Sequence, residues 1–211
     1  MKIGILGSGD AAKSLGRGFV KHGHDVMLGT REAGKLAEWQ KDVGSRARVG
    51  SVADAARFGE IVVLAVLGTA AEAVAEAAGP ANLRGKLVLD ATNPLDFSKG
   101  MPPGNFVGMT DSLGERLQRR LVGAHVVKCF NTVPNVQMID PTIPGAEMII
   151  AGDDADAKKR AEVLLLALGW HGVVDVGGID GARWMEAFVP LWVRVCVAKG
   201  SFNLVFVPKT G

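Results

Sequence analysis

The 211-residue chain predicts a doubly wound α/β fold built on a mostly parallel sheet, and three observations carry that expectation. Short apolar runs alternate with helical patterns along most of the chain, the order expected of repeated strand-helix-strand units. Several of these runs, such as Ile61–Val66, are nearly unbroken in Val, Ile and Leu, as strands are when helices cover both faces of a sheet. A glycine turn, Gly7-Ser8-Gly9, follows the first run directly, where a tight strand-to-helix connection belongs.

In chain order, Met1–Leu6 reads as the first strand, Ala11–His22 as a helix and Asp25–Gly29 as the second strand. A helix over Glu32–Asp42 leads to a short strand at Ala47–Val49, then Ile61–Val66, a helix over Thr69–Ala78, and a strand at Leu87–Thr92. Ser112–Leu121 is helical, His125–Phe130 is the next strand, and strands at Met148–Ala151 and Val173–Val176 bracket a helix over Asp154–Leu168. Asp154 and Asp156 favour that helix's N-terminal dipole, and Gly169 marks its end. Between the Leu87–Thr92 strand and the Ser112–Leu121 helix, residues 93–111 hold Pro94, Gly100, Pro102, Pro103 and Gly104. They read as an irregular loop leaving a strand's carboxyl end, where ligands bind in such folds.

From Asp180 onward the pattern changes. Trp184, Phe188, Leu191, Trp192 and Val195 recur at helical spacing and predict one apolar face, and Phe202, Leu204, Val205, Phe206 and Val207 continue as an apolar tail. The expected organisation is a nucleotide-binding unit over residues 1–178 and a C-terminal helix and tail over 179–211. With little chain left to cover it, the apolar face is expected to pack on the sheet and at a homodimer interface.

Composition narrows the function classes. The chain is 48% hydrophobic and 22% charged, as ordinary globular proteins are. A formal net charge of +2 gives no reason to expect nucleic acid or an anionic membrane as partner. Cys129 and Cys196 lack metal-ligand spacing and read as buried thiols in a reducing compartment. Neither a secretory signal nor an uninterrupted membrane span is visible, so a cytoplasmic location is expected.

The chemistry is concentrated near the start. Gly7 makes the tight turn, Gly9 allows a pyrophosphate to approach the backbone, and Ala12 keeps helix and strand close. Ser8, Asp10 and Ala11 complete a turn whose exposed N–H groups suit phosphate, with the Asp10 carboxylate either turned aside from it or facing the nicotinamide end of the pocket. Where an NAD site places Asp or Glu after the second strand, this chain has Thr30-Arg31. A hydroxyl and a guanidinium bind the 2′-phosphate that a carboxylate repels. Lys35, four residues beyond Arg31, is expected on the same helical face, although Glu32 and Glu38 could instead pair with these cations as surface ion pairs. The predicted cofactor is NADP(H), held in an NAD(P)-binding Rossmann fold. Other strand ends flank such a dinucleotide: Ala65, Val66 and Leu67 after the fourth strand, Thr92 and Asn93 after the fifth, and Asn131 and Thr132 after the sixth. The four histidines are scattered, and no nucleophile–base pair stands out. Direct hydride transfer, needing no catalytic acid or base from the protein, fits that absence.

Three segments in order, Gly7-Ser8-Gly9-Asp10 with Lys13-Ser14-Leu15, then Gly29-Thr30-Arg31, then Lys128-Cys129-Phe130-Asn131-Thr132-Val133, carry a family resemblance. Together they resemble the F420-dependent NADP oxidoreductases and the cytosolic oxidoreductase domain of the six-transmembrane metalloreductases. The likeness extends to the late Gly181…Met185-Glu186-Ala187…Pro190-Leu191 segment. It implies NADP with its phosphates near Gly7 to Ala12, its 2′-phosphate at Thr30, Arg31 and Lys35, and its nicotinamide near Asn131 to Asn135. Hydride would pass to a small-molecule acceptor, either a flavin (FMN or FAD) or the deazaflavin F420. Phe130 and Asn131 stand where the F420 enzymes' pattern has Leu and His. Two other readings fit the same first domain. One is a reductase of the pyrroline-carboxylate or hydroxyacid type, whose K-x-x-x-N spacing Lys199 and Asn203 reproduce; the other is a non-catalytic NADPH-binding sensor or partner protein.

Overall fold

The computed structural model describes residues 1–205 and 207. Phe206, assigned above to the apolar tail, lies outside the described residues. The chain runs β1 (Lys2–Leu6), α1 (Asp10–Lys21), β2 (Asp25–Gly29), a 3-10 turn (Ala33–Leu36), α2 (Ala37–Val43), β3 (Ala47–Gly50), α3 (Val52–Phe58) and β4 (Ile61–Leu64). Next come α4 (Gly68–Ala78), α5 (Pro80–Leu83), β5 (Leu87–Asp90), a hairpin of β6 (Leu95–Asp96) and β7 (Gly104–Asn105), α6 (Leu113–Arg120) and β8 (His125–Lys128). The last elements are β9 (Glu147–Ile150), α7 (Ala155–Ala167), β10 (Gly172–Asp175) and α8 (Ala182–Lys199).

Six parallel strands form the main sheet in the order β3-β2-β1-β4-β5-β8. The chain winds outward from β1 in one direction and then from β4 in the other, so the order reverses between them. Alternate residues serve two cores: Ile3, Ile5, Ile61, Val63, Leu87 and Leu89 face one, while Leu6, Val62, Leu64 and Val88 face the other. That is the period-two consequence of burying both faces of a strand. β9 and β10 make a separate parallel pair, joined to the main sheet by an antiparallel bridge between Lys128 and Ala151.

Most elements appear where the sequence expects them; α5 and the β6–β7 hairpin, the latter inside the expected irregular loop, were not foreseen, and three further differences are instructive. The fourth, fifth and sixth strands end two residues early, at Leu64, Asp90 and Lys128, because the chain bends out of the sheet there to form loops at its carboxyl edge. Phe130 takes φ 62, which no strand residue adopts, and its N–H turns to Met148 Sδ at 3.2 Å. Second, residues 32–42 do not form one helix; a 3-10 turn precedes α2. Third, the short α3 is too brief to show a period, although its Ser51–Asp54 capping box is a legible start signal.

The C-terminal helix corrects the predicted face. α8 buries Ala182, Met185, Glu186, Val189, Val193 and Cys196, whereas Trp184 is 66% exposed and Leu191 56%. The tail folds back: Trp192 Nε1 donates to the Leu204 carbonyl at 2.9 Å, and Gln137 Nε2 donates to Asn203 Oδ1 at 2.9 Å. Among the described residues, no helix is long and apolar enough to cross a membrane.

Candidate functional site

The point where strand order reverses holds a cavity of about 560 Å³ at the carboxyl edge of the sheet. Such a volume suits a small-molecule or cofactor site, and the reversal is where open α/β sheets bind ligands. Gly7, Ser8, Gly9, Asp10 and Ala11 form its floor after β1; Thr30 and Arg31 bound it after β2; Ala65, Val66 and Leu67 bound it after β4.

Local chemistry explains each wall. Gly7 sits at φ +146, and a Cβ there would lie 2.1 Å from the Ala65 carbonyl oxygen, so only glycine allows the β1 and β4 ends to approach this closely. Its N–H donates to Gly29 O at 2.9 Å, tying the turn to β2. A Cβ on Gly9 would meet nothing within 4 Å; the space above the turn is open. Gly9 is also the N-cap of α1 and supplies no side-chain cap, which leaves the first-turn N–H groups facing outward for an anionic ligand. Thr30 Oγ1 accepts from the Glu32 N–H at 3.2 Å, so its own proton is available to an acceptor beyond the protein. The residues present thus fit a ligand carrying phosphates near α1 and a further anionic group beside β2.

Sequence reasoning missed the wall opposite. Val52 from α3 and Ala70, Ala73, Val74 and Ala77 from α4 complete the cavity, with Ala91 after β5. α4 comes close because Gly68 abuts the loop after β5, where a Cβ would lie 2.0 Å from Asn93 O. The alanine spacing along α4 is the signal that marked this face.

Several predicted residues stand elsewhere. Ala12 is fully buried under the turn, packing α1 on the sheet as its motif position requires. Lys35 lies in the 3-10 turn, where residues four apart do not share a face, and its Nζ pairs with Glu32 Oε2 at 2.8 Å. That contact holds the Glu32 carboxyl below its usual range. Thr92, Asn93, Asn131, Thr132 and Asn135 do not line the cavity. They form a second, closed region at the ends of β5 and β8. Asn93 Nδ2 donates to Asn131 O at 2.9 Å, and Asn131 Nδ2 returns a bond to Asn93 Oδ1 at 3.1 Å. Asn131 Oδ1 is buried without a partner among the described residues. Asn135 Nδ2 reaches Ser14 Oγ on α1 at 3.3 Å.

Beneath this region three charges are buried together. Lys128 Nζ lies 2.9 Å from Asp90 Oδ2 and 2.7 Å from Glu186 Oε1. Asp90 Oδ1 accepts from both the N–H and the hydroxyl of Thr92, at 2.9 and 2.7 Å. Glu186 accepts from the Leu113 and Gly114 N–H groups at the start of α6, at 2.9 and 3.0 Å. Burial opposes the Lys128 charge, but the two carboxylates outweigh it and hold its pKa above the usual lysine value. The sequence reading names Lys128 and Glu186 within longer motifs, passes over Asp90 inside its strand, and gives none of the three a charge role. Lys199 and Asn203, the alternative catalytic spacing, share no helix: α8 ends at Lys199 and Gly200 turns left-handed at φ 65.

Comparison with known proteins agrees with this geometry. The family model described as NADP oxidoreductase, coenzyme F420-dependent, matches residues 2–94, which span β1 to the β5 loop. A crystal structure of a candidate F420-dependent NADP reductase from Arthrobacter sp. FB24 superposes with a TM-score of 0.95. It is 37% identical, with all of both chains covered. The F420-dependent NADP reductase of Methanothermobacter marburgensis is 29% identical over 92% of each chain. Rat metalloreductase STEAP3 is 28% identical over 95% of this chain and 40% of its own. The identity to the Arthrobacter protein along the whole length, on the same fold, places the chain in the coenzyme F420-dependent NADP oxidoreductase family, and it is an oxidoreductase.

Proposed function

We propose that the protein transfers hydride between NADP(H) and a ring acceptor of flavin or deazaflavin type, with coenzyme F420 as the first candidate. The observation that carries the donor half is the pairing of an open glycine turn at the α1 N-terminus with Thr30 and Arg31 at the end of β2. In this reading the N–H groups from Ser8 to Ala12 bind the pyrophosphate. The Thr30 hydroxyl and the Arg31 guanidinium bind the 2′-phosphate. Val66, Leu67, Ala70 and Val74 line the adenosine half with apolar surface. Thr92, Asn93, Asn131, Thr132 and Asn135 orient the nicotinamide end, and the unpartnered Asn131 Oδ1 suits a carboxamide N–H. Bound NADPH supplies the hydride; the protein's part is to hold, orient and exclude water.

The names of the family relatives support F420 as acceptor, and the exposed Trp184 and Leu191 with the 96–109 loop offer apolar surface. Phe97, Met101, Phe106 and Met109 of that loop are also exposed. A second copy of the chain covering this surface would complete the acceptor pocket. The test is NADPH oxidation followed at 340 nm with F420, FMN, FAD and a cyclic imine as separate acceptors. Turnover with F420 or a flavin is the expected result. Turnover with the imine alone would replace the acceptor class, and tight NADPH binding without any turnover would favour a sensor.

A further inference from the structure

The buried cluster at β5, β8 and α8 does not balance. Asp90, Lys128 and Glu186 sum to one excess negative charge, and their side chains are all at most 3% exposed. The other buried acid among the described residues, Glu115, is matched by Arg183, whose Nε and Nη2 reach its oxygens at 2.8 and 2.5 Å, so it adds nothing to the excess. The first turn of α6 disperses part of the Glu186 charge through two N–H bonds, and a helix terminus carries only about half a unit of opposite charge. An anionic residue therefore remains behind the carboxyl ends of β5 and β8.

The opposite end of the same edge is cationic. Arg31 follows β2, three strand positions from β5 in the order β2-β1-β4-β5, or about 14 Å at the usual strand spacing. The edge is thus graded from positive to negative. Oxidised NADP is graded in the complementary sense, with anionic phosphates at one end and a cationic nicotinamide ring at the other. Reduction removes the ring's charge and leaves the phosphates unchanged.

We propose that the Asp90–Lys128–Glu186 cluster makes the site discriminate between redox forms, favouring NADP⁺ over NADPH and so favouring hydride donation, with Glu186 as the residue that sets the excess charge. This rests on the NADP(H) reading above. A group that interacts more strongly with one form shifts the equilibrium by that difference alone. Asp90 and Glu186 act through the field of the cluster and through Thr92; they are positioning residues.

The test measures dissociation constants of NADP⁺ and NADPH by calorimetry on the full chain and on Glu186→Gln and Asp90→Asn, with a thermal melt showing that each is folded. Removing the excess charge is expected to raise the ratio Kd(NADP⁺)/Kd(NADPH) by roughly three- to tenfold, the scale of one unit charge in a partly screened interior. A purely structural role weakens both forms equally, and an unchanged ratio in a folded variant overturns the proposal. Should neither variant fold, the unmodified chain decides: tighter NADP⁺ supports the proposal and tighter NADPH overturns it. No saturable binding of either form to the unmodified chain would instead remove the NADP(H) reading, and this inference with it.

Discussion

The two halves of the sheet's carboxyl edge are built on opposite plans. Around β1, β2 and β4 the surface is open, lined by glycine, alanine and small apolar side chains with Thr30 and Arg31 at one end, and bounds a 560 Å³ cavity. Around β5 and β8 it is closed, with reciprocal asparagine bonds above and three buried charges below. The open half offers backbone N–H groups, and its specificity comes from Gly7, which leaves out a Cβ, and from Thr30 and Arg31, which put a hydroxyl and a guanidinium where a carboxylate would repel phosphate. The closed half depends on particular side chains bonded to one another, with Asn131 Oδ1 left as a buried unpartnered acceptor. A ligand can therefore be held by the first half and tuned by the second.

Substitutions should separate the halves by kind of damage. The largest effect on binding is expected at Gly7→Ala, where the new Cβ meets the Ala65 carbonyl at 2.1 Å and the residue must hold φ +146. Binding of NADPH should be lost, with a stability cost of about 2–4 kcal/mol measured by urea unfolding. Lys128→Met strikes the closed half and leaves two carboxylates buried without their cation; about 3–5 kcal/mol of stability should go, visible as a lowered thermal midpoint. Lys35→Met, by contrast, removes only an exposed ion pair and should leave the midpoint unchanged.

A smaller effect separates acid behaviour. The Arg183 guanidinium beside Glu115 holds that carboxyl below its usual range. A depressed carboxyl contributes stability that is complete above its unfolded pKa and is lost as pH falls through the folded value. Between about pH 5 and 3, Arg183→Met should therefore lose less stability than the unmodified chain, by about 1 kcal/mol. The smallest effect is chemical. Burial, reinforced by the Asp90 charge, pushes the Cys129 thiol well above its ordinary pKa, so it should resist thiol reagents at pH 8 until the protein is unfolded.

The open half was legible because its determinants are contiguous. Gly7 to Ala12 and Gly29 to Arg31 each form one turn, and turn chemistry depends on neighbours in sequence. The closed half was not, because Asp90 and Lys128 are 38 residues apart and Glu186 arrives from α8. Nothing local says that a Lys ending one strand will meet a carboxylate ending another. α8 shows the same limit in a different form. It carries apolar residues on both stripes, and periodicity alone chose Trp184, Leu191 and Val195 over Met185, Val189 and Val193. Docking against α6, where Glu186 meets the helix start, selects the second stripe. The expectation that Arg31 and Lys35 share a helical face failed for a backbone reason, since a 3-10 turn took the place of the first helical turn.

The central claim is that Thr30 and Arg31 make the open half an NADP(H) site, and one titration tests it directly. Dissociation constants for NADPH and NADH should be measured on the unmodified chain and on Arg31→Glu. The unmodified chain should prefer NADPH, and the variant should lose at least roughly tenfold in NADPH affinity, with NADH changing by less than about threefold. Equal loss for both nucleotides, or no preference at the outset, would contradict the account.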